Sequence, residues 1–356
     1  MTPLLLTILA VTLPSVGPDA PAKEPQLAVH GSTVAMAYGA GGSIYFASSK
    51  DSEATFSAPV KVADVPILPL NRHRGPRIAF AGSTIVISAV AGKVPSTGEH
   101  AHGLPSDGDL LVWRSTDGGK TWSVPAMAND VPGAPTEGLH ALAADKDGNL
   151  FAAWLDKRGK GTMLYGARST DGGKTWSKNV QIHASPDGTI CQCCHPSLAF
   201  DEQGRIVVMW RNVLNGARDM YITRSTDGRT FSKPEKLGGG SWMINACPMD
   251  GGGMALTGNH LVTVWRREKT LYMANPGGPE TALAEGIDVS LASNGKDTLA
   301  VWTASGQVQA LTTGAAKPVA LAAKGAFPAT AALADGTFVV AWESDGGIEV
   351  QRFPTR

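Results

Sequence analysis

Charge is scarce and balanced in this sequence. Asp, Glu, Lys and Arg make up 17% of its 356 residues, and 31 basic residues meet 31 acidic ones. A disordered chain carries more charge and less apolar content than the 43% found here. A nucleic-acid-binding surface draws on a basic excess, and neither an excess nor a long basic run is present. Long apolar runs are equally rare. The clearest, residues 4–13, is too short to span a bilayer, so no membrane span is expected. With only four cysteines the chain is not a disulfide scaffold, yet three of them fall within residues 191–194, which reads as a site. Glycine and proline are what the chain has in quantity, 42 and 23 residues, and a long helical bundle does not tolerate them. What remains is a turn-rich all-β globule, in two domains or in one large closed architecture.

The apolar run follows Met1-Thr2-Pro3 and precedes the small residues Ser15, Gly17 and Ala20. That order suits the core of a signal peptide over residues 1–20, with the cleavage position open and a mature chain starting near residues 18–24. The expected location is periplasmic or secreted, where disulfides are permitted. A single domain is expected over residues 26–355.

Two nested repeats organise that domain. A short apolar run ending in tryptophan recurs as Phe151-Ala152-Ala153-Trp154, Val207-Val208-Met209-Trp210, Val262-Thr263-Val264-Trp265, Leu299-Ala300-Val301-Trp302 and Val339-Val340-Ala341-Trp342. Weaker copies at residues 34–38 and 85–91 raise the number to seven. Units of this size with turn residues throughout indicate the blades of a β-propeller. The second repeat is Ser115-Thr116-Asp117-Gly118-Gly119-Lys120-Thr121-Trp122. It returns as Ser169-Thr170-Asp171-Gly172-Gly173-Lys174-Thr175-Trp176, and in shorter form as Ser225-Thr226-Asp227-Gly228-Arg229-Thr230-Phe231. A decayed copy begins at Ser49. Physically it is a hairpin turn: Asp accepts backbone N–H bonds, glycine takes positive φ, and the aromatic packs back into its sheet.

These Ser-x-Asp-x-Gly-x-x-Trp segments resemble the Asp boxes, or BNR repeats, of the sialidase superfamily. The resemblance implies a sialidase-like propeller of about seven four-stranded blades. Six blades is the alternative, since sialidases themselves are six-bladed. The last unit ends after three strands, so a segment near residues 26–29 is expected to complete its sheet.

In such blades the Asp boxes join the third strand to the fourth. The loops leading into each first strand, and those joining the second strand to the third, must open on the opposite face. That face collects the polar chemistry of units two to five. The leading loops supply Arg72, His73 and Arg74, then Glu137, then Cys191, Cys193, Cys194 and His195, then Asn245, Cys247, Met249 and Asp250. Aligning the inner strands makes His73, Glu137, Cys193 and Met249 equivalent, with Arg74, Cys194 and Asp250 one step later. The second-to-third loops add Glu99, His100, His102, Asp156, Arg158, Arg211, Asn215, Arg218, Arg266 and Arg267.

Three functions fit this face. The sialidase resemblance implies three arginines on a substrate carboxylate, a task suited to the guanidinium fork. It also implies a tyrosine nucleophile with carboxylate partners. Arg77, in a sequence similar to the family's Arg-Ile-Pro signature, with Arg211 and Arg266, offers the arginines. Glu137 and Asp156 offer the carboxylates, while Arg72, His73, Arg74, Asn245 and Asp250 are candidate ligand contacts. None of the five tyrosines falls in the last two units, where the family places its nucleophile. The second function is a copper or zinc centre built from Cys191, Cys193, Cys194, His195, Cys247 and Met249, since soft thiolates and a thioether select Cu(I) and Cys with His suits zinc. Disulfides linking Cys247 to Cys193 or Cys194 compete with it. Residues 191–195 also match the c-type haem pattern C-x-x-C-H, but a strand follows His195 directly and leaves little room for a porphyrin. The third function is a non-catalytic propeller that binds a small molecule, glycan or protein. Trp242 is a candidate stacking platform, whereas residues 23–25 and His183 read as solvated surface.

Overall fold

The computed structural model describes residues 11–17, 20–51, 55–97, 103–258 and 260–354. Seven four-stranded antiparallel sheets follow one another in chain order: blade I over residues 22–64, II over 77–127, III over 140–183, IV over 197–236, V over 253–285 and VI over 287–322. Blade VII takes three strands from residues 326–353 and its outer fourth strand from Val11–Pro14. The ring is therefore seven-bladed.

Closure comes from a different segment than expected. Residues 26–29 belong to Ala22–His30, the inner strand of blade I. The closing strand is Val11–Pro14, paired antiparallel from Val11 opposite Val350 to Pro14 opposite Gly347. Leu13 is 3% exposed and enters the apolar seam between blades VII and I. Of the segment read as a signal peptide, residues 1–10, 18 and 19 lie outside the described residues.

The apolar runs form the second strand of each sheet because these strands are buried on both faces. In Ile206–Arg211 every residue is buried. Side chains alternate across a strand, so Ile206, Val208 and Trp210 join the seam with blade III while Val207 and Met209 join the seam with blade V. The same division repeats around the ring, giving seven apolar clusters for seven seams. Trp154, Trp210, Trp302 and Trp342 are fully buried within them, as inter-blade core. Third strands share one burial rhythm, identical in Ser43–Ser49, Asp109–Ser115 and Met163–Ser169.

Each of these third strands runs into an Asp box. In the box of blade II, Asp117 Oδ1 accepts the backbone N–H groups of Lys120 and Thr121, both at 3.0 Å, and Oδ2 accepts the Thr121 hydroxyl at 2.6 Å. Ser115 Oγ accepts the Gly119 N–H at 2.8 Å. Asp171 repeats the pattern with Thr175 and Ser169. Burial opposes its charge, but these hydrogen bonds outweigh that and hold its pKa down at about 2. Gly119 has φ +88°, and a Cβ there would fall 2.0 Å from the Phe46 ring of blade I, so the box requires glycine for packing as well as for its turn.

Two expectations follow. Asp171→Ala removes three hydrogen bonds from a partly exposed turn and should cost about 1–2 kcal/mol in chemical denaturation, with the fold retained. An unchanged midpoint would show that the box is not a stabilising turn. Leu13→Asp places a carboxylate in the closing seam and should cost about 3 kcal/mol or more. A midpoint equal to that of the parent chain would mean that Val11–Pro14 does not close the ring.

Candidate functional site

The loops leading into the inner strands and those joining second to third strands open on the face opposite the Asp boxes, and on that face the loops of blades II to V meet. Arg74 is 8% exposed. Its Nε donates to the Glu137 carbonyl at 2.7 Å, and its Nη2 lies 3.9 Å from the Glu137 carboxylate. Lys157, from the second-to-third loop of blade III, approaches the same carboxylate at 3.2 Å. Together with exposed Arg72, these groups line a cavity of about 240 Å³ whose wall also includes Cys193, Cys247 and Met249. Among the described residues, three cations thus face one carboxylate.

A second polar group occupies the mouth of the central channel, where a cavity of about 190 Å³ opens. His73 Nε2 lies 3.0 Å from Asp288 Oδ1 across the channel, and its ring packs 4.3 Å from that of His195. The His73 backbone N–H donates to Glu24 Oε1 at 3.0 Å. Glu24 is 2% exposed, and burial pushes its carboxyl up to about 7. Burial also disfavours charge on His73, but the hydrogen bond to Asp288 and the nearby carboxylates more than offset it and raise its pKa. His195 is driven well below the ordinary imidazole value by burial and by neighbouring His73 and Arg77. Its Nε2 meets the Gly252 carbonyl at 3.1 Å.

Several residues expected at a ligand site serve the backbone instead. Arg211 is 1% exposed and donates to the carbonyls of Asp250, Arg266 and Arg218. Arg266 donates to the Pro248 carbonyl at 3.0 Å. Both guanidiniums flank the Trp242 ring, at 5.2 and 5.3 Å, so this buried tryptophan stacks on arginine rather than standing open as a platform. Arg77 donates to the carbonyls of Pro76 and His73. Asp156 has no exposed side-chain surface and is held by Trp154 Nε1 at 2.8 Å and by Arg158 at 2.9 Å. Asp250 is buried and accepts the Asp288 N–H at 3.1 Å, while Asn245 is exposed. Glu99, His100 and His102 lie outside the described residues.

Three of the four cysteines converge. The Sγ atoms of Cys191, Cys193 and Cys194 all lie within 4.8 Å of one another, each thiol is buried, and Met249 and Val213 pack against them. Cys191 stands 3.4 Å from Cys194 and 3.6 Å from Cys193, and Arg218 Nη1 donates to its sulfur at 3.2 Å. Hydrogen bonding with the other two thiols, then Arg218, pulls the Cys191 thiol down, while burial pushes Cys194 up to about 12. Cys247 is exposed and stands outside this trio, although it shares the cavity wall with Cys193. All four cysteines are free, and the expected bridge from Cys247 is not formed. In the haem-like segment the three thiols turn onto one another and His195 turns to a carbonyl.

Four residues of this face escaped the sequence. Glu24 is no solvated linker residue: it is buried at a bulge of its strand. Asp288 occupies the corresponding kind of bulge in blade VI, outside the units two to five in which the polar chemistry is expected. His140 is fully buried, 2.9 Å from Ser88 Oγ, with its pKa lowered to about 3 mainly by burial. Lys157 lies between Asp156 and Arg158, both singled out by position. His183, read as surface, packs 4.9 Å from the Trp210 ring. A larger cavity, about 890 Å³, is lined by Val65, Asp107 and Trp113 among others and shares no wall residue with either of the two cavities above.

The fold recurs in carbohydrate-active proteins. A Penicillium chrysogenum α-L-arabinanase complexed with arabinobiose superimposes with a TM-score of 0.59 at 16% identity, covering 98% of each chain. A polysaccharide lyase of the PL25 ulvan lyase family gives 0.61 at 12% identity, over 96% of this chain and 95% of its own. A leech intramolecular trans-sialidase gives 0.57 at 12%, over 96% and 68%. At these identities the likeness is one of fold. No curated protein matches the sequence. The BNR repeat-like domain profile matches residues 43–278, more than half of the chain and the segment that carries every Asp box. The chain thus belongs to the BNR repeat-like domain family and is built as a seven-bladed propeller.

Proposed function

We propose that the protein is an exported, carbohydrate-directed propeller that binds an anionic sugar in the cavity between the loops of blades II, III, IV and V. The observation that carries this reading is the charge of that cavity: among the described residues of its wall, Arg72, Arg74 and Lys157 stand against the one carboxylate of Glu137. Arg74 and Glu137 are fixed by each other, so the wall is organised before a ligand arrives, and exposed Arg72 is left to meet it. Among fold relatives, one PL25 ulvan lyase structure holds a GlcA and sulfated-rhamnose oligosaccharide, and the leech trans-sialidase holds a sialic acid derivative. Both ligands are acidic sugars, which supports the same class here.

The reading is one of recognition rather than of tyrosine-based hydrolysis. Tyr38, Tyr45, Tyr165, Tyr221 and Tyr272 all stand on second or third strands, and none lines this cavity. Export rests on residues 4–13. Processing near residues 18–24 would remove Val11–Pro14 and leave blade VII with three strands, so export and ring closure bear on one segment.

Calorimetric titration with uronate- and sialate-bearing oligosaccharides, and with neutral arabino-oligosaccharides as controls, tests the ligand class. Binding of acidic sugars should weaken about tenfold in Arg72→Ala or Lys157→Ala and weaken further with added salt. Equal binding of neutral sugars, or charge variants that bind as the parent does, would overturn the reading. N-terminal sequencing of the protein recovered from the cell envelope and culture medium tests export. A chain found only in the cytoplasm with residue 1 intact refutes it.

A further inference from the structure

Beside the proposed sugar cavity, and independent of what fills it, the three clustered thiols form a group of their own. Seven apolar clusters belong to the seven seams, but the one containing Cys191, Cys193 and Cys194 belongs to no seam. It is carried by the loop that leads into blade IV, and that loop is held rigidly. The Cys191 N–H donates to the Arg211 carbonyl at 3.1 Å, while the Arg211 side chain is tied to three carbonyls of neighbouring loops. Ordinary burial of cysteine as a small apolar residue does not require three sulfurs facing one another.

We propose that Cys191, Cys193 and Cys194 bind one soft monovalent metal ion, Cu(I), in a three-sulfur site. An ion bonded at about 2.3 Å to each sulfur holds the sulfurs roughly 3.8–4.0 Å apart, and the separations of 3.4 and 3.6 Å need only small side-chain adjustments to reach that span. Direct S–S bonds, at about 2.05 Å, demand a much larger approach.

The donor set selects the ion. Structural zinc takes four ligands, usually completed by Cys, His or carboxylate. Among the described residues, no imidazole or carboxylate joins the trio within the same 4.8 Å. His195, adjacent in sequence, turns its Nε2 to the Gly252 carbonyl. Three thiolates with the Met249 thioether side chain packed beside them are a soft set of the kind that favours Cu(I). Charge is balanced as well. Three thiolates around Cu(I) carry a net charge of about −2, and buried charge requires partners. Arg218 contacts Cys191 directly, and the charges of Arg211 and Arg74 act on Cys194 and Cys193. Cys193 also forms part of the cavity wall, which gives the ion a route from solvent.

The test is anaerobic titration of the fully reduced chain with Cu(I) in competition with bicinchoninate, followed by X-ray absorption at the copper edge. The proposal expects one Cu(I) per chain held against the chelator, with sulfur as the nearest scatterer and no nitrogen. Cys191→Ser and Cys194→Ser should each lower affinity at least 100-fold, with folding of the metal-free variants checked by circular dichroism. If either serine variant fails to fold, the stoichiometry and sulfur shell of the parent chain still decide. Failure of the reduced parent to retain copper, a shell containing nitrogen, or preference for Zn(II) over Cu(I) would overturn the site. So would loss of stoichiometric binding in Cys247→Ser, which would show that the trio is not sufficient. Sugar binding in the metal-free chain is measured separately, so failure of one proposal is distinguishable from failure of the other.

Discussion

Every sheet of this protein buries its second strand on both faces, and that single constraint dictates the rest. A strand such as Ile206–Arg211 presents Trp210 to one neighbour and Met209 to the other, so no blade can satisfy its apolar surface alone. A row of such sheets must close, because an open end would leave one apolar face in water. Closure in turn places a high demand on the join between blades VII and I, where Leu13 enters a seam shared with Val34, Tyr38 and Val350. The outer strands carry little of this load, and two of them, Ala126–Met127 and Glu235–Lys236, have only two residues.

Because the seams carry the stability, the two rims are free to specialise. On one rim the Asp boxes close hairpins with hydrogen bonds that are local to each turn, and Gly119 shows how closely such a turn can press on the next blade. On the other rim, polar side chains from different blades tie the loops to one another. Arg211 binds carbonyls from three separate loop positions, and the Glu24–His73–Asp288 chain crosses the channel between blades I, II and VI. Such buried polar contacts are costly when left half-made. Complete, they fix the rim geometry without any apolar packing.

This division explains what could be read in the sequence. Apolar period and turn chemistry report burial and local backbone shape. Blade number, Asp-box placement and the equivalence of His73, Glu137, Cys193 and Met249 all followed from those two signals, and three of the four equivalent residues do line one cavity. Neither signal reports where a long polar side chain finds its partner. Arg77, Arg211 and Arg266 stand near strand ends that look open to a ligand, yet each spends donors on backbone carbonyls, those of Arg211 and Arg266 on carbonyls the fold brings near. Glu24 reads as solvated beside Pro25, but a bulge turns it inward, and Cys247 reaches the correct rim without reaching the thiols. The closing strand escaped for a related reason: Val11–Pro14 overlaps the apolar run of residues 4–13, a pattern that a leader and a strand share.

The cavity and the thiol trio meet at Cys193, and their electrostatics are opposed in a useful way. Among the described residues, Arg72, Arg74 and Lys157 give the cavity wall an excess of positive charge over the carboxylate of Glu137. An uncharged thiol at the back of such a cavity adds nothing to that balance. A metal–thiolate group of net negative charge would draw on the same cations from behind, through Arg74 on the Cys193 side and Arg218 on the Cys191 side. Occupation of one site therefore weakens the field available to an anion in the other. Coupling of this kind is reciprocal, so an acidic sugar in the cavity and a metal on the trio should oppose each other, with Arg74 as the residue that serves both.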